Sequence, residues 1–254
     1  PKFSSFLNEV HEKNYISEER VEQYFSFQAK AIALTKDALP KDKSLVGFVG
    51  GPWTVLSYGL GMKDRLSVNK SAIQPFMEKL LYEQLIPILR KNIEIQFKAG
   101  AEIVYIFDTN SKQLGNVYFL EKYIPELRNE LFSVFENRLA YFSKNQSFYD
   151  QPITEINNLN LAGVVFSANS GFEDFLKPQK NFFVQGNFNP LSLLKSHSEY
   201  RIDFDHFLNN IKKLNNIERK GWICSLSHGV LPKTPEQNVH HFIDAIRTKF
   251  STSS

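Results

Sequence analysis

Cysteine is almost absent. Cys224 is the single one in 254 residues, so no internal disulfide can form and a reducing compartment is expected. Long apolar runs are missing too. No stretch is long enough to span a membrane and none reads as a signal peptide, so the expectation is a cytoplasmic protein with no membrane partner. Runs of lysine or arginine are absent. The net charge of +3 and a pI near 8.8 are mildly basic, which does not favour nucleic acid and suits a polyanionic small molecule. Several catalytic signatures are also lacking. Gly59-Leu60-Gly61 has no third glycine and does not lie directly between a strand and a helix, so it is no dinucleotide loop. There is no H-E-x-x-H pair, no phosphate-loop lysine and no serine nucleophile elbow. A thiolate zinc site would need more than one cysteine, and no metal is expected.

What is present is alternation. Apolar runs of strand length stand at residues 45–49, 103–107, 139–142, 163–166, 182–184 and 222–226. Stretches with helical spacing separate them: 17–39, the segment up to Tyr58, 73–97, 119–136, 204–214 and the chain after Pro235. In the first helix Ser17 is the expected N-cap, Pro40 the stop, and Val21, Tyr24, Phe25, Ala29, Ile32 and Ala33 the buried face. Pro87 is expected to kink the third or to start a new helix. Thr234-Pro235-Glu236-Gln237 reads as a capped helix start. Short apolar strands alternating with helices predict a parallel sheet covered by helices. About six units are visible where a closed (β/α)8 barrel needs eight.

Polar and small residues gather just past the strand ends: Trp53 and Thr54, Asp108 and Thr109, Ser143 and Lys144, Ser167 and Asn169, Gln185 and Asn187, Ser225 and His228. In a barrel these line one mouth, where catalytic loops lie. Many such residues simply cap helices, so each alone carries little weight. His228 stands out because its strand aims it at the mouth and Gly229 follows it. Asp108 is a lone carboxylate after an apolar strand, and reads equally as a hydrogen-bonded core group or as a site acid. His240 and His241 are adjacent on a helix and cannot face the same way. Cys224 reads as a small core residue.

Four blocks then point to a family. They are G-F-V-G-G-P-W-T (Gly47 to Thr54) with Tyr58, A-G-A-E-I-V-Y-I-F-D-T (Ala99 to Thr109), V-Q-G-N-F-N-P (Val184 to Pro190) and S-L-S-H-G-V-L-P-K-T-P-E-Q-N-V (Ser225 to Val239). In this order and at this spacing they resemble uroporphyrinogen decarboxylase. The resemblance implies an α/β fold, a (β/α)8 TIM barrel, working without a cofactor as a homodimer. It implies removal of carbon dioxide from the four acetate side chains of uroporphyrinogen III, giving coproporphyrinogen III for haem synthesis. By the same resemblance Tyr58, Thr109 and His228 contact substrate carboxylates, and Phe107 lines the pocket.

Residues 1–254 then read as one barrel domain holding the third to eighth strands, the first two being expected upstream of Pro1. The family's R-Q-A-G-R and F-S-D-I segments, which carry its arginines and central aspartate, are not in this sequence. The catalytic groups are therefore expected upstream. Thr109 replaces a serine and keeps the hydroxyl. S-L-S-H-G replaces N-L-G-H-G, and Ser167-Ala168 stands where the family has aspartate-tryptophan. Two other readings remain. One is a non-catalytic tetrapyrrole-binding relative. The other is a corrinoid-type methyltransferase, which would need zinc held by a histidine and cysteines, whereas Gly229 and Val230 follow His228.

Overall fold

The computed structural model describes residues 18–62, 73, 75–167 and 171–250. The expected cap Ser17 and the loop residues Ala168 and Asn169 lie outside them. The chain divides into two compact units, residues 1–151 with 158–162 and residues 152–157 with 163–254.

The first unit carries β1 (Val46–Gly50), β2 (Ile103–Asp108) and β3 (Leu139–Ser143). They are parallel and paired in chain order, with Phe48 opposite Tyr105 and Phe107 opposite Phe142. Side chains alternate across a strand, so each strand splits between two faces. Gly47, Val49, Val104, Ile106, Leu139 and Tyr141 share the face on which the helices pack, and all are buried. Val46, Phe48, Tyr105 and Phe107 share the other. There Phe48 is 63% and Phe107 37% exposed, although the Phe107 ring lies 6.2 Å from Phe48, 5.8 Å from Tyr105 and 5.9 Å from Phe142.

Helix α1 (Glu18–Ala38) packs on α3 (Ile86–Lys98). Its acidic start and Lys36 in its last turn both suit the helix dipole. The expected buried face is partly wrong. Val21 is buried as expected, but Tyr24 is 71% exposed, in a row with Phe27 and Leu34. Residues three and ten apart from Tyr24 lie on one stripe, and that stripe points away from α3. As expected, Pro87 stands in the first turn of a new α-helical segment. The run passes from Pro75–Lys79 through a π-helical segment, Leu80–Leu85, into α3. A wider turn directly before Pro87 accommodates the missing N–H and the ring. Pro125 repeats the device behind the π-helical segment Phe119–Tyr123.

Gln96 of α3 is fully buried. Its amide accepts from Phe48 N–H and donates to Phe48 C=O, both at 3.0 Å, and is steadied by Asn92 Oδ1 at 3.1 Å. Gly47 is required there, because a Cβ would stand 2.1 Å from Gln96 Oε1.

The second unit carries β4 (Gly163–Val165), β5 (Phe183–Phe188) and β6 (Trp222–Leu226), parallel in that order. Its helices include α4 (Phe172–Leu176), α5 (His197–Lys212) and α6 (Glu236–Phe250). Strand β5 runs longer than expected, so Gln185 and Asn187 lie within it, not past its end. Helix α5 starts seven residues earlier than the spacing suggests, on a capping box between Ser196 and Glu199. Phe188, Leu193, Tyr200, Phe204 and Leu208 form its core, with Leu226, Phe242 and Phe250 packed against them. Each such buried side chain contributes roughly 1.5–3 kcal/mol. The expected Thr234 cap is not made. Its hydroxyl donates to Leu231 C=O at 2.7 Å and closes the turn before α6. Asn238 ties α6 instead, donating to Leu193 and Lys195 C=O, both at 3.0 Å, with Oδ1 2.8 Å from His197 Nδ1.

Candidate functional site

In the first unit the chemistry-bearing residues meet at the carboxyl ends of β1, β2 and β3. The centre is Asp108, fully buried. Thr54 donates to its Oδ1 through N–H and Oγ1, at 3.1 and 2.7 Å. Tyr123 and Tyr141 hydroxyls donate to Oδ2 at 2.6 and 3.1 Å. Burial pushes the carboxyl up from its ordinary range, and the four donors pull it back. Both tyrosines are held well above the usual phenol range, first by burial and then by the Asp108 charge. Tyr123 OH also accepts from Trp53 N–H at 3.0 Å. The G-G-P-W-T block explains itself here. Helix α2 (Pro52–Gly59) starts against the carboxylate, and a Cβ on Gly51 would fall 2.3 Å from Asp108 Cβ.

Further bonds bolt α2 to the turn after β2. Asn110 N–H donates to Thr54 Oγ1 and Asn110 Nδ2 to Ser57 Oγ, each at 2.9 Å. Ser111 and Ser143 hydroxyls lie 2.8 Å apart, which joins the ends of β2 and β3. Asp108 shares the helix-side face of the sheet with Val104 and Ile106, the opposite face from Phe107. The open question about this carboxylate is settled in favour of the hydrogen-bonded core group.

Tyr58, Phe107 and Thr109 belong to this same unit. Phe107 and Thr109 flank Asp108; Phe107 lies on the aromatic face by alternation, and Thr109 opens the turn just past the strand. Tyr58 follows Ser57 on the bolted helix and is 46% exposed. Phe48 is the residue that sequence reading missed. Its partial exposure beside Phe107 puts it on the same surface, and the signal was available in the pairing of two strands whose apolar residues fall on both faces. Lys144 continues β3 and Lys112 sits in the turn after β2, both exposed.

His228 belongs to the second unit, just past β6, and is exposed. A Cβ at Gly229 would meet nothing within 4 Å, so that turn is open. Cys224 is half-buried in β6, and burial pushes its thiol up to about 12, so it is no thiolate at neutral pH. His240 pairs with Glu236 at 3.2 Å on the exposed side of α6, while His241 lies against Tyr200 and Phe204.

Parallel strands, helices on one face and polar groups at the carboxyl ends define a (β/α) barrel enzyme class. Comparison with solved structures gives the same fold. The chain resembles a methyltransferase from Methanosarcina mazei with a TM-score of 0.65, at 18% identity, over 88% of this chain and 64% of that one. It resembles a B12-independent methionine synthase from Shewanella with a TM-score of 0.54, at 12% identity, over 87% and 67%. At such identities the likeness carries the fold alone.

Sequence comparison goes further. Residues 1–249 match the family described as uroporphyrinogen decarboxylase (URO-D). A uroporphyrinogen decarboxylase of Orientia tsutsugamushi (strain Ikeda) is 32% identical over 88% of this chain, which spans 66% of that protein. One from Campylobacter lari is 29% identical over 98% of this chain and 73% of its own length. The chain belongs to the uroporphyrinogen decarboxylase family. It spans about two thirds of the length of such relatives. Among the described residues no helix is long and apolar enough to cross a membrane.

Proposed function

We propose that the protein removes carbon dioxide from the acetate side chains of uroporphyrinogen III, giving coproporphyrinogen III. The observation that carries this is the strand-end surface of the first unit. There the family's motif residues Tyr58, Phe107 and Thr109 are held by the Asp108 network, beside a patch of exposed aromatic rings. A tetrapyrrole offers flat apolar rings and a rim of carboxylates, and this surface offers aromatic faces and a rim of donors.

The chemistry sets the roles. Protonating a pyrrole α-carbon makes a cation that accepts the electrons of the breaking C–C bond. Carbon dioxide leaves, the exocyclic methylene takes a proton, and the ring returns one. Tyr58, Thr109 and, in the second unit, His228 are assigned to the carboxylates of the substrate. Phe107 and Phe48 are assigned to its rings. Asp108 is not the acid, because all four of its acceptor positions are occupied on the helix side. The proton donor and the carboxylate facing the pyrrole N–H groups are assigned to family segments outside this sequence. The 254 residues are read as the larger part of a single barrel domain, and the assembly as a cytoplasmic homodimer.

The test is anaerobic incubation of the natural-length protein with uroporphyrinogen III, followed by chromatography of the oxidised porphyrins. Products with seven to four carboxylates are expected. Unchanged eight-carboxylate substrate with folded protein would sink the reading, and retention of the pigment by that protein would make it a binding relative.

A further inference from the structure

Some lysines of the described residues sit against a carboxylate. Lys36 pairs with Glu102, Lys91 with Glu22, Lys98 with Glu94, Lys195 with Asp203 and Lys249 with Asp205. Lys112 and Lys144 depart from this. Among the described residues neither has an ion-pair partner, and the charged group that acts on Lys144 is Lys112. Partial burial and that neighbouring charge together hold the Lys144 ammonium below the ordinary lysine range. Two like charges kept together without a carboxylate raise the local positive potential.

Their position is fixed by the same bonds that hold the site. Asp108 pairs with Ser143 in register, so Thr109 and Lys144 follow directly past the ends of two neighbouring strands. Lys112 follows Ser111, whose hydroxyl meets Ser143 Oγ at 2.8 Å. Asn145 N–H donates to Ser143 Oγ at 3.0 Å. The Asn145 Nδ2 donor, one residue along the chain from Lys144, is buried without a hydrogen-bond partner among the described residues.

We propose that Lys112 and Lys144 form a clamp for one carboxylate of the substrate, next to Thr109 at the ends of β2 and β3. This rests on the proposed function for the identity of the polycarboxylate. The clamp accepts an acidic side chain and answers the repulsion between the two ammonium groups. It therefore favours porphyrinogens that still carry many carboxylates over those that carry few.

The test uses the natural-length protein and its Lys112→Ala, Lys144→Ala, double and Lys144→Arg variants, with circular dichroism to confirm folding. Two readouts are taken: turnover of uroporphyrinogen III, and equilibrium binding of uroporphyrin, the oxidised eight-carboxylate form, by fluorescence quenching. Each single alanine variant is expected to raise KM and Kd about three- to tenfold with kcat changed less, as for a part-exposed charged contact. The double variant should lose less than the product of the two, and Lys144→Arg should recover most of the binding. Turnover with KM and Kd unmoved by either alanine overturns the clamp and leaves the function standing. Lysine-dependent uroporphyrin binding without turnover overturns the function and leaves the clamp standing. A protein that neither binds uroporphyrin nor turns over uroporphyrinogen overturns both.

Discussion

Three consecutive residues, Phe107, Asp108 and Thr109, straddle two surfaces with opposite logic. On the helix side Asp108 has every acceptor position filled and no access to solvent. On the other side Phe107 is part-exposed, Thr109 stands beside it, and the lysines nearby have no carboxylate. A group that is buried and saturated holds a shape, and a group left open is ready to take a ligand. The contrast explains why a charged residue inside a motif can be the structural member while its uncharged neighbours are left open to a ligand.

The contrast breaks most easily at Asp108. Asp108→Ala strands four donors and should destabilise the protein by about 3–5 kcal/mol, read by denaturant unfolding. Asp108→Asn keeps one acceptor oxygen and should lose about 2 kcal/mol, with activity per folded molecule retained. Loss of activity at unchanged stability would move Asp108 into the reaction. The sign with pH follows from the raised carboxyl pKa. The folded state holds this proton more tightly than the unfolded chain. The stability it contributes is full below the unfolded value near 3.8 and falls as pH rises through the folded pKa. The advantage of wild type over Asp108→Asn should therefore shrink from acid toward neutral pH.

A smaller effect separates the two tyrosines. Tyr123 serves both Asp108 and Trp53 N–H, while Tyr141 serves Asp108 through a longer bond. Tyr123→Phe should cost about 2 kcal/mol and Tyr141→Phe about 1 kcal/mol; equal losses would mean that Trp53 N–H finds another acceptor. The smallest change in stability is expected on the open face. Phe48→Ala or Phe107→Ala should shift stability by less than about 1 kcal/mol yet raise KM several-fold. A large stability loss with normal KM would reassign those rings to the core.

Much of the fold was legible because apolar runs and their breakers are local signals. All six strands fall within a few residues of their expected positions. Which face each residue takes was less legible. Val46, Phe48 and Val49 are all apolar, so a strand covered on one side and aromatic on the other shows no clean alternation. Phe48 was missed for that reason, and the side taken by Asp108 stayed open. Tyr24 was misassigned because several helical stripes through α1 are apolar. Thr234 fits a capping pattern, but its hydroxyl found the nearer Leu231 carbonyl. Gln96 could not be read at all, since its partner is 48 residues away.

That glutamine has a consequence for the company the protein keeps. A strand edge is an invitation to any other extended chain, and proteins that leave one bare tend to stick to one another. By offering one acceptor and one donor to the Phe48 peptide, Gln96 imitates a single rung of an adjoining strand. That rung is filled from within the unit, so any strand laid along this side of β1 has one peptide fewer to pair with.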